Sequence, residues 1–191
     1  MKRIVIFASG SGSNAENIIR YFEKAADIKV VHLLCNNPKA KVFDRCDRLN
    51  IDASLIDKES FAVDDTVLHF LQEEADFIVL AGFLWKIPEK IVHAFPNKIL
   101  NIHPALLPKY GGKGMYGKHV HKAVKMHREL ETGITVHYVN EKYDEGAIIF
   151  QAKVDLLASD TPETIAEKVH ALEYLHFPKV IGDTIRTYGK G

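Results

Sequence analysis

Asn101 and His103 stand two residues apart in Ile99-Leu-Asn-Ile-His-Pro104, where a short apolar run ends. Alternate side chains of a strand point the same way, so the amide and the imidazole share one side at its carboxyl end. Ligands of open α/β sheets bind at that edge. Side by side, the two groups can donate hydrogen bonds to a carbonyl oxygen that becomes an oxyanion, and the imidazole can also move a proton. Pro104 biases His103 toward an extended backbone, which presents the ring from a fixed position. A structural histidine at a strand end fits the same letters. Asp144, in the turn Tyr143-Asp-Glu-Gly146, is placed to reach His103, orient it and raise its pKa so that an imidazolium is available near neutrality. An ordinary acidic turn is the alternative there.

A second feature is Ser9-Gly-Ser-Gly-Ser-Asn14, where a first strand hands over to a first helix. Glycines let the backbone approach a ligand, and a helix N-terminus offers free N–H groups, so the segment reads as a phosphate cradle. Gly10, Gly12 and Ala15 also satisfy the G-x-G-x-x-[GA] dinucleotide fingerprint. That fingerprint expects an acid after the second strand, and Cys35-Asn-Asn37 stands there instead. A plain turn without a ligand is the third reading.

Other chemistry-bearing residues are less decisive. His119, His121 and His127 do not form a metal pattern, because the first two lie two apart in a helix, and they read as solvated. No metal site is expected. His137 shares a strand face with Thr135 and Val139, either in the core or behind the site. Glu173 reads most simply as a surface acid. Leu80-Ala-Gly-Phe-Leu-Trp-Lys-Ile87 breaks from a buried strand into an apolar loop with the single tryptophan, which suits either packing or the wall of a pocket for a flat heterocycle.

The elements that must position these groups follow from periodicity. Short apolar runs alternate with amphipathic stretches, which predicts an α/β fold: one doubly wound, mostly parallel sheet with helices on both faces. Strands are expected near 2–8, 28–35, 53–56, 76–81, 98–102, 133–139 and 147–155, and helices near 14–25, 40–49, 61–74, 88–94, 117–128 and 162–182. The last two strands are too close for a helical crossover and are expected to pair antiparallel near the C-terminus. Thr161 and Pro162 suit the N-cap and first position of the final helix, and Ile165, Val169 and Leu172 mark its core face. Pro104 to Gly117, with two prolines and four glycines, reads as a functional loop.

Composition bounds the partners. With 191 residues a single domain over 1–191 is expected. Lys plus Arg and Asp plus Glu balance at 25 each, so no net field holds a nucleic-acid backbone or an acidic membrane. Cys35 and Cys46 read as buried free thiols rather than a disulfide or zinc site. No signal-peptide pattern opens the chain and no run reaches the roughly 18 apolar residues of a span, so a cytoplasmic protein is expected.

Taken together, Gly12-Ser-Asn14, Leu80-Ala-Gly-Phe83, Asn101-Ile-His-Pro-Ala-Leu-Leu-Pro-Lys-Tyr110, Gly133-Ile-Thr-Val-His137 and Asp144-Glu-Gly146 resemble the phosphoribosylglycinamide formyltransferases, folate-dependent enzymes of purine synthesis. The resemblance spans nearly the whole chain. It implies small-molecule substrates, 10-formyltetrahydrofolate as the one-carbon donor, no metal, and a homodimer by family habit. It also implies that Asn101, His103 and Asp144 are catalytic, that Gly12, Ser13 and Asn14 hold the substrate phosphate, and that Glu173 and His170 lie at the substrate. The folate would take its pocket from Leu84, Trp85, Lys86 and Ile87 and from Asn140, Glu141, Lys142, Tyr143 and Asp144, with its formyl group directed at Asn101 and His103.

Some positions depart from the pattern. Relatives often carry an arginine near the start of the helix after the third strand, where this chain reads Ser60-Phe-Ala-Val-Asp-Asp65. After Lys109-Tyr110 it inserts Gly111-Gly-Lys-Gly-Met-Tyr-Gly117, which is expected to affect a lid or subunit contacts and not the core chemistry. Methionyl-tRNA formyltransferases share the histidine segment but normally add an RNA-binding domain, which 191 residues of zero net charge do not accommodate. A formyltetrahydrofolate hydrolase, with water as acceptor, usually adds a regulatory domain. A non-catalytic nucleotide-binding module would need only the glycine loop.

Overall fold

A computed structural model describes residues 1–189. Among the described residues seven strands form one sheet in the order β3-β2-β1-β4-β5-β6-β7: β1 Lys2–Ala8, β2 Ile28–Cys35, β3 Asp52–Leu55, β4 Phe77–Leu80, β5 Ile99–His103, β6 Glu131–Tyr138 and β7 Ile148–Asp155. β1 pairs parallel with β2 and β4, and β2 with β3, while β6 and β7 pair antiparallel, as expected. The helices are α1 Ser13–Phe22, α2 Val42–Leu49, α3 Thr66–Glu74, α4 Glu89–Ala94, α5 Lys118–Met126 and α6 Pro162–Thr187. The described residues divide into two compact units, one of Met1–Leu100 with residues 182–189, the other Asn101–Ile181.

In the first unit, Ile4 to Ala8 of β1 are fully buried, the continuous apolar run of a strand covered on both faces. α1 buries Ala15, Ile18, Ile19 and Phe22, the 3.6-residue stripe that docks a helix onto a sheet. β3 is short and largely exposed, which limits what an open sheet edge offers to another chain. The helix expected over 61–74 is instead a short π-helical turn, Glu59–Val63, and then α3. Asp57 Oδ1 accepts the Ser60 N–H at 2.8 Å and Asp64 Oδ1 accepts that of Thr66 at 2.8 Å. Each aspartate starts its own turn, so two short segments replace one helix. Cys35 and Cys46 are buried free thiols.

In the second unit, α6 opens with a reciprocal cap. Thr161 Oγ1 accepts the Thr164 N–H at 3.3 Å, and Thr164 Oγ1 accepts the Thr161 N–H at 2.9 Å. Ile165, Val169 and Phe177 bury one face, and Glu173 lies on the same four-residue spacing. Among the described residues no helix is long and apolar enough to cross a membrane.

Candidate active site

The second unit brings the buried His103 and the half-buried Asn101 and Asp144 into one cluster, with His137 between Asn101 and Asp144. β5 ends at His103, whose ring is 3% exposed. Its Nε2 donates to the Tyr110 carbonyl at 2.7 Å, and its Nδ1 lies 3.5 Å from Asp144 Oδ2. The loop after β5 is pinned by Thr135 of β6. Its Oγ1 accepts the Leu107 N–H at 3.0 Å and a Gln151 Nε2–H at 2.9 Å, and donates to the Ala105 carbonyl at 2.7 Å. That uses the full capacity of a hydroxyl, so the backbone that carries His103 has little freedom.

Asp144 follows β6 with φ 55, a left-handed conformation that aspartate tolerates better than most side chains. Its Oδ2 accepts the Gly112 N–H at 2.8 Å. A Cβ on Gly111 would meet Leu107 at 2.6 Å and the Asp144 Cβ at 3.3 Å. The inserted segment therefore touches the carboxylate, contrary to the expectation that it would leave the core chemistry alone.

Burial and charge oppose each other at His103. Desolvation lowers its pKa; the Asp144 carboxylate and the Tyr110 carbonyl raise it but do not prevail, and the net direction is down. The expectation that Asp144 raises the imidazole above its ordinary value is thus corrected: Asp144 only limits the fall. At Asp144 burial acts upward, but the two imidazoles of His137 and His103 and the Gly112 N–H outweigh it and hold the carboxyl below its ordinary value. An imidazole held in place by Asp144 and an amide donor beside it can stabilise a developing oxyanion.

Two expectations from sequence fail on burial. His121 is 3% exposed on the face of α5 that also buries Val120 and Val124, so it is not solvated. Its Nδ1 has no hydrogen-bond partner, and burial, ahead of the His170 charge, lowers its pKa. Glu173 is buried to 5% and takes a hydrogen bond from His170 Nδ1 at 2.9 Å, which raises the half-exposed His170. Both burials carry a sequence signal, since each residue sits on the apolar stripe of its own helix. Of the 140–144 loop, Glu141, Lys142 and Tyr143 are exposed, and Asn140 Oδ1 accepts the Lys142 N–H at 2.9 Å.

In the first unit, Gly12 caps α1 in a left-handed conformation, φ 73, with Ser13 and Asn14 opening the helix. A Cβ there would run into the Val42 side chain and its Cα at 2.9 Å. Val42 N–H donates to the Gly10 carbonyl at 3.3 Å and Arg45 Nε to that of Ser11 at 2.6 Å, so α2 holds the loop from behind. Beyond β4, Ser9 Oγ accepts the Leu84 N–H at 2.9 Å. Phe7, Phe61, Phe83 and Trp85 form an aromatic cluster; Leu84 and Lys86 are exposed and Ile87 is buried. Where the arginine is absent, Lys90 bonds the carbonyls of Val63 and Asp64 and the Asp65 carboxylate.

The formyl transferase family model matches residues 2–181. The chain belongs to this family. Within it, the chain is 36% identical to the phosphoribosylglycinamide formyltransferase of Bacillus subtilis over 197 residues, covering all of this chain and 98% of the relative. It is 39% identical to the chloroplastic enzyme of that name from Arabidopsis thaliana, over 95% of this chain and 64% of the relative. The crystal structure of phosphoribosylglycinamide formyltransferase from Bacillus halodurans superposes with a TM-score of 0.85 at 34% identity, covering all of this chain and 97% of that one. The doubly wound fold expected from the sequence is thus the family's own.

Proposed function

We propose that this formyl transferase moves the formyl group of 10-formyltetrahydrofolate to the amine of 5-phosphoribosylglycinamide, giving the formylated ribonucleotide and tetrahydrofolate for purine synthesis. The observation that carries this reading is the full-length likeness to enzymes of that name in a chain whose Asn101, His103 and Asp144 lie in one cluster. The unprotonated amine attacks the formyl carbon, a C–N bond forms, and the carbonyl electron pair moves onto oxygen. Asn101 and His103 donate hydrogen bonds to that oxyanion. His103 begins neutral, because burial outweighs Asp144, takes the proton that the attacking amine nitrogen releases, and donates to the oxyanion as the imidazolium. The imidazolium then gives a proton to N10 of the folate, the C–N10 bond breaks, and tetrahydrofolate leaves.

Gly12, Ser13 and Asn14 hold the acceptor's phosphate through N–H groups at the start of α1. Glu173 and His170 take its ribose or glycinamide end. Leu84 to Ile87 and Asn140 to Asp144 bound the folate, and the exposed Leu84 and part-exposed Trp85 supply apolar surface for a flat ring. The cytoplasm and a homodimer accompany this reading. Mass spectrometry of the product tests it: the formyl group should appear on the glycinamide nitrogen of the ribonucleotide, and formate as the sole one-carbon product would refute it.

A further inference from the structure

His137 has no task in the steps above, yet it is 2% exposed and in contact with the cluster. Its Nδ1 lies 2.7 Å from the Tyr138 carbonyl, its Nε2 lies 3.1 Å from Asn101 Nδ2, and Asp144 Oδ1 stands 3.6 Å from the same Nε2. A carbonyl only accepts, so Nδ1 carries a hydrogen, and in a neutral imidazole Nε2 then bears a lone pair. An amide nitrogen only donates, so the contact runs from Asn101 N–H to His137 Nε2. Asp144 Oδ1, a second acceptor, stays beyond hydrogen-bond distance of it.

We infer that His137 is a positioning residue for the oxyanion site: its Nε2 lone pair holds the Asn101 carboxamide with nitrogen inward, leaving the second N–H to donate to the reacting oxygen. The inference rests on the formyl-transfer reading. A terminal amide torsion is soft and two-fold, so without that lone pair the amide can turn and present its oxygen to an oxyanion, which repels it. The hydrogen of the ring is in turn fixed by the Tyr138 carbonyl. β6 therefore sets the direction of a donor on β5, through one tautomer.

The test compares His137→Leu, His137→Gln, Asn101→Ala and the double variant His137→Leu/Asn101→Ala in the formyl-transfer assay. His137→Leu should lower kcat by about 10- to 10²-fold, less than the roughly 10²- to 10³-fold that outright loss of an oxyanion donor costs because the amide itself remains, with both KM values within a few-fold. His137→Gln, whose Oε1 can accept in place of Nε2, should recover most of that loss. The double variant should be no slower than Asn101→Ala alone, because His137 acts through Asn101. Multiplying losses, or a His137→Leu enzyme at the wild-type rate, would overturn the inference. Nitrogen-15 NMR of the wild-type protein tests it without any variant: at neutral pH the His137 ring should carry its hydrogen on Nδ1, and a hydrogen on Nε2 alone would contradict it. A wild-type protein without transfer activity would instead refute the reaction and leave the tautomer result standing.

Discussion

The carboxylate of Asp144 stands 3.5 Å from Nδ1 of His103, while the other ring nitrogen donates to the Tyr110 carbonyl at 2.7 Å. Both ring nitrogens thus face acceptors, the surroundings of an imidazolium, in a place so buried that the neutral ring still wins. Removing the carboxylate takes away the largest influence that favours charge. Asp144→Asn should move the protonation of His103 to still lower pH, as read by NMR titration of the ring, and slow turnover. A titration that moves upward, or does not move, would break the link between the two residues. His103→Ala should cost about 10²- to 10³-fold in kcat, the usual cost of one oxyanion donor, and leave phosphate affinity largely intact.

Gly12→Ala tests the loop before α1. The left-handed φ of 73 costs an L-residue about 1–2 kcal/mol, and the new methyl also meets Val42. The variant should melt several degrees lower and show a raised KM for the ribonucleotide, with kcat affected less. An unchanged melting temperature would show that α2 does not press on the loop.

Gly112→Ala tests the inserted segment. At φ 95 a side chain is strained although space is open around it, so the backbone must shift and carry its N–H away from Asp144. Activity should fall more than stability does, seen by comparing kcat with the thermal midpoint. Wild-type turnover in this variant would return the insertion to the peripheral role that the sequence suggested.

Buried histidines make stability depend on pH. His32, His103 and His121 are all lowered from 6.5, chiefly by burial, so between their folded values and 6.5 the unfolded chain binds more protons. Their contribution is fully present above about pH 6.5 and is lost as pH falls through it. His170, raised first by Glu173, works the other way: its contribution is present below 6.5 and is lost as pH rises through its folded value. Three groups against one should make the urea midpoint higher at about pH 7.5 than at about pH 5.5, and His121→Asn should flatten that difference. A midpoint that rises on acidification would contradict the balance.

What the sequence made legible was mostly local. The apolar run of β1, the stripe of α1 and the Thr161 cap of α6 each follow from a few consecutive residues, and so does the shared face of Asn101 and His103. The break between the π-helical turn and α3 escaped the expected helix over 61–74, because the apolar residues on both sides of Asp64 and Asp65 continue one helical pattern. The contact of Gly112 with Asp144 joins residues 32 apart through a left-handed turn, which no periodicity encodes. The direction of the His103 shift depends on how dry the finished site is, a property of packing and not of neighbours in the chain. Glu173 was read as a surface acid because of its charge, although its spacing from Val169 and Phe177 placed it inside.

The most direct test mixes the purified protein with 10-formyltetrahydrofolate and follows deformylation by absorbance, with and without 5-phosphoribosylglycinamide. Turnover should require the ribonucleotide and should fall by about 10² or more in His103→Ala. Deformylation at the same rate without the amine, or undiminished turnover in that variant, would contradict the account.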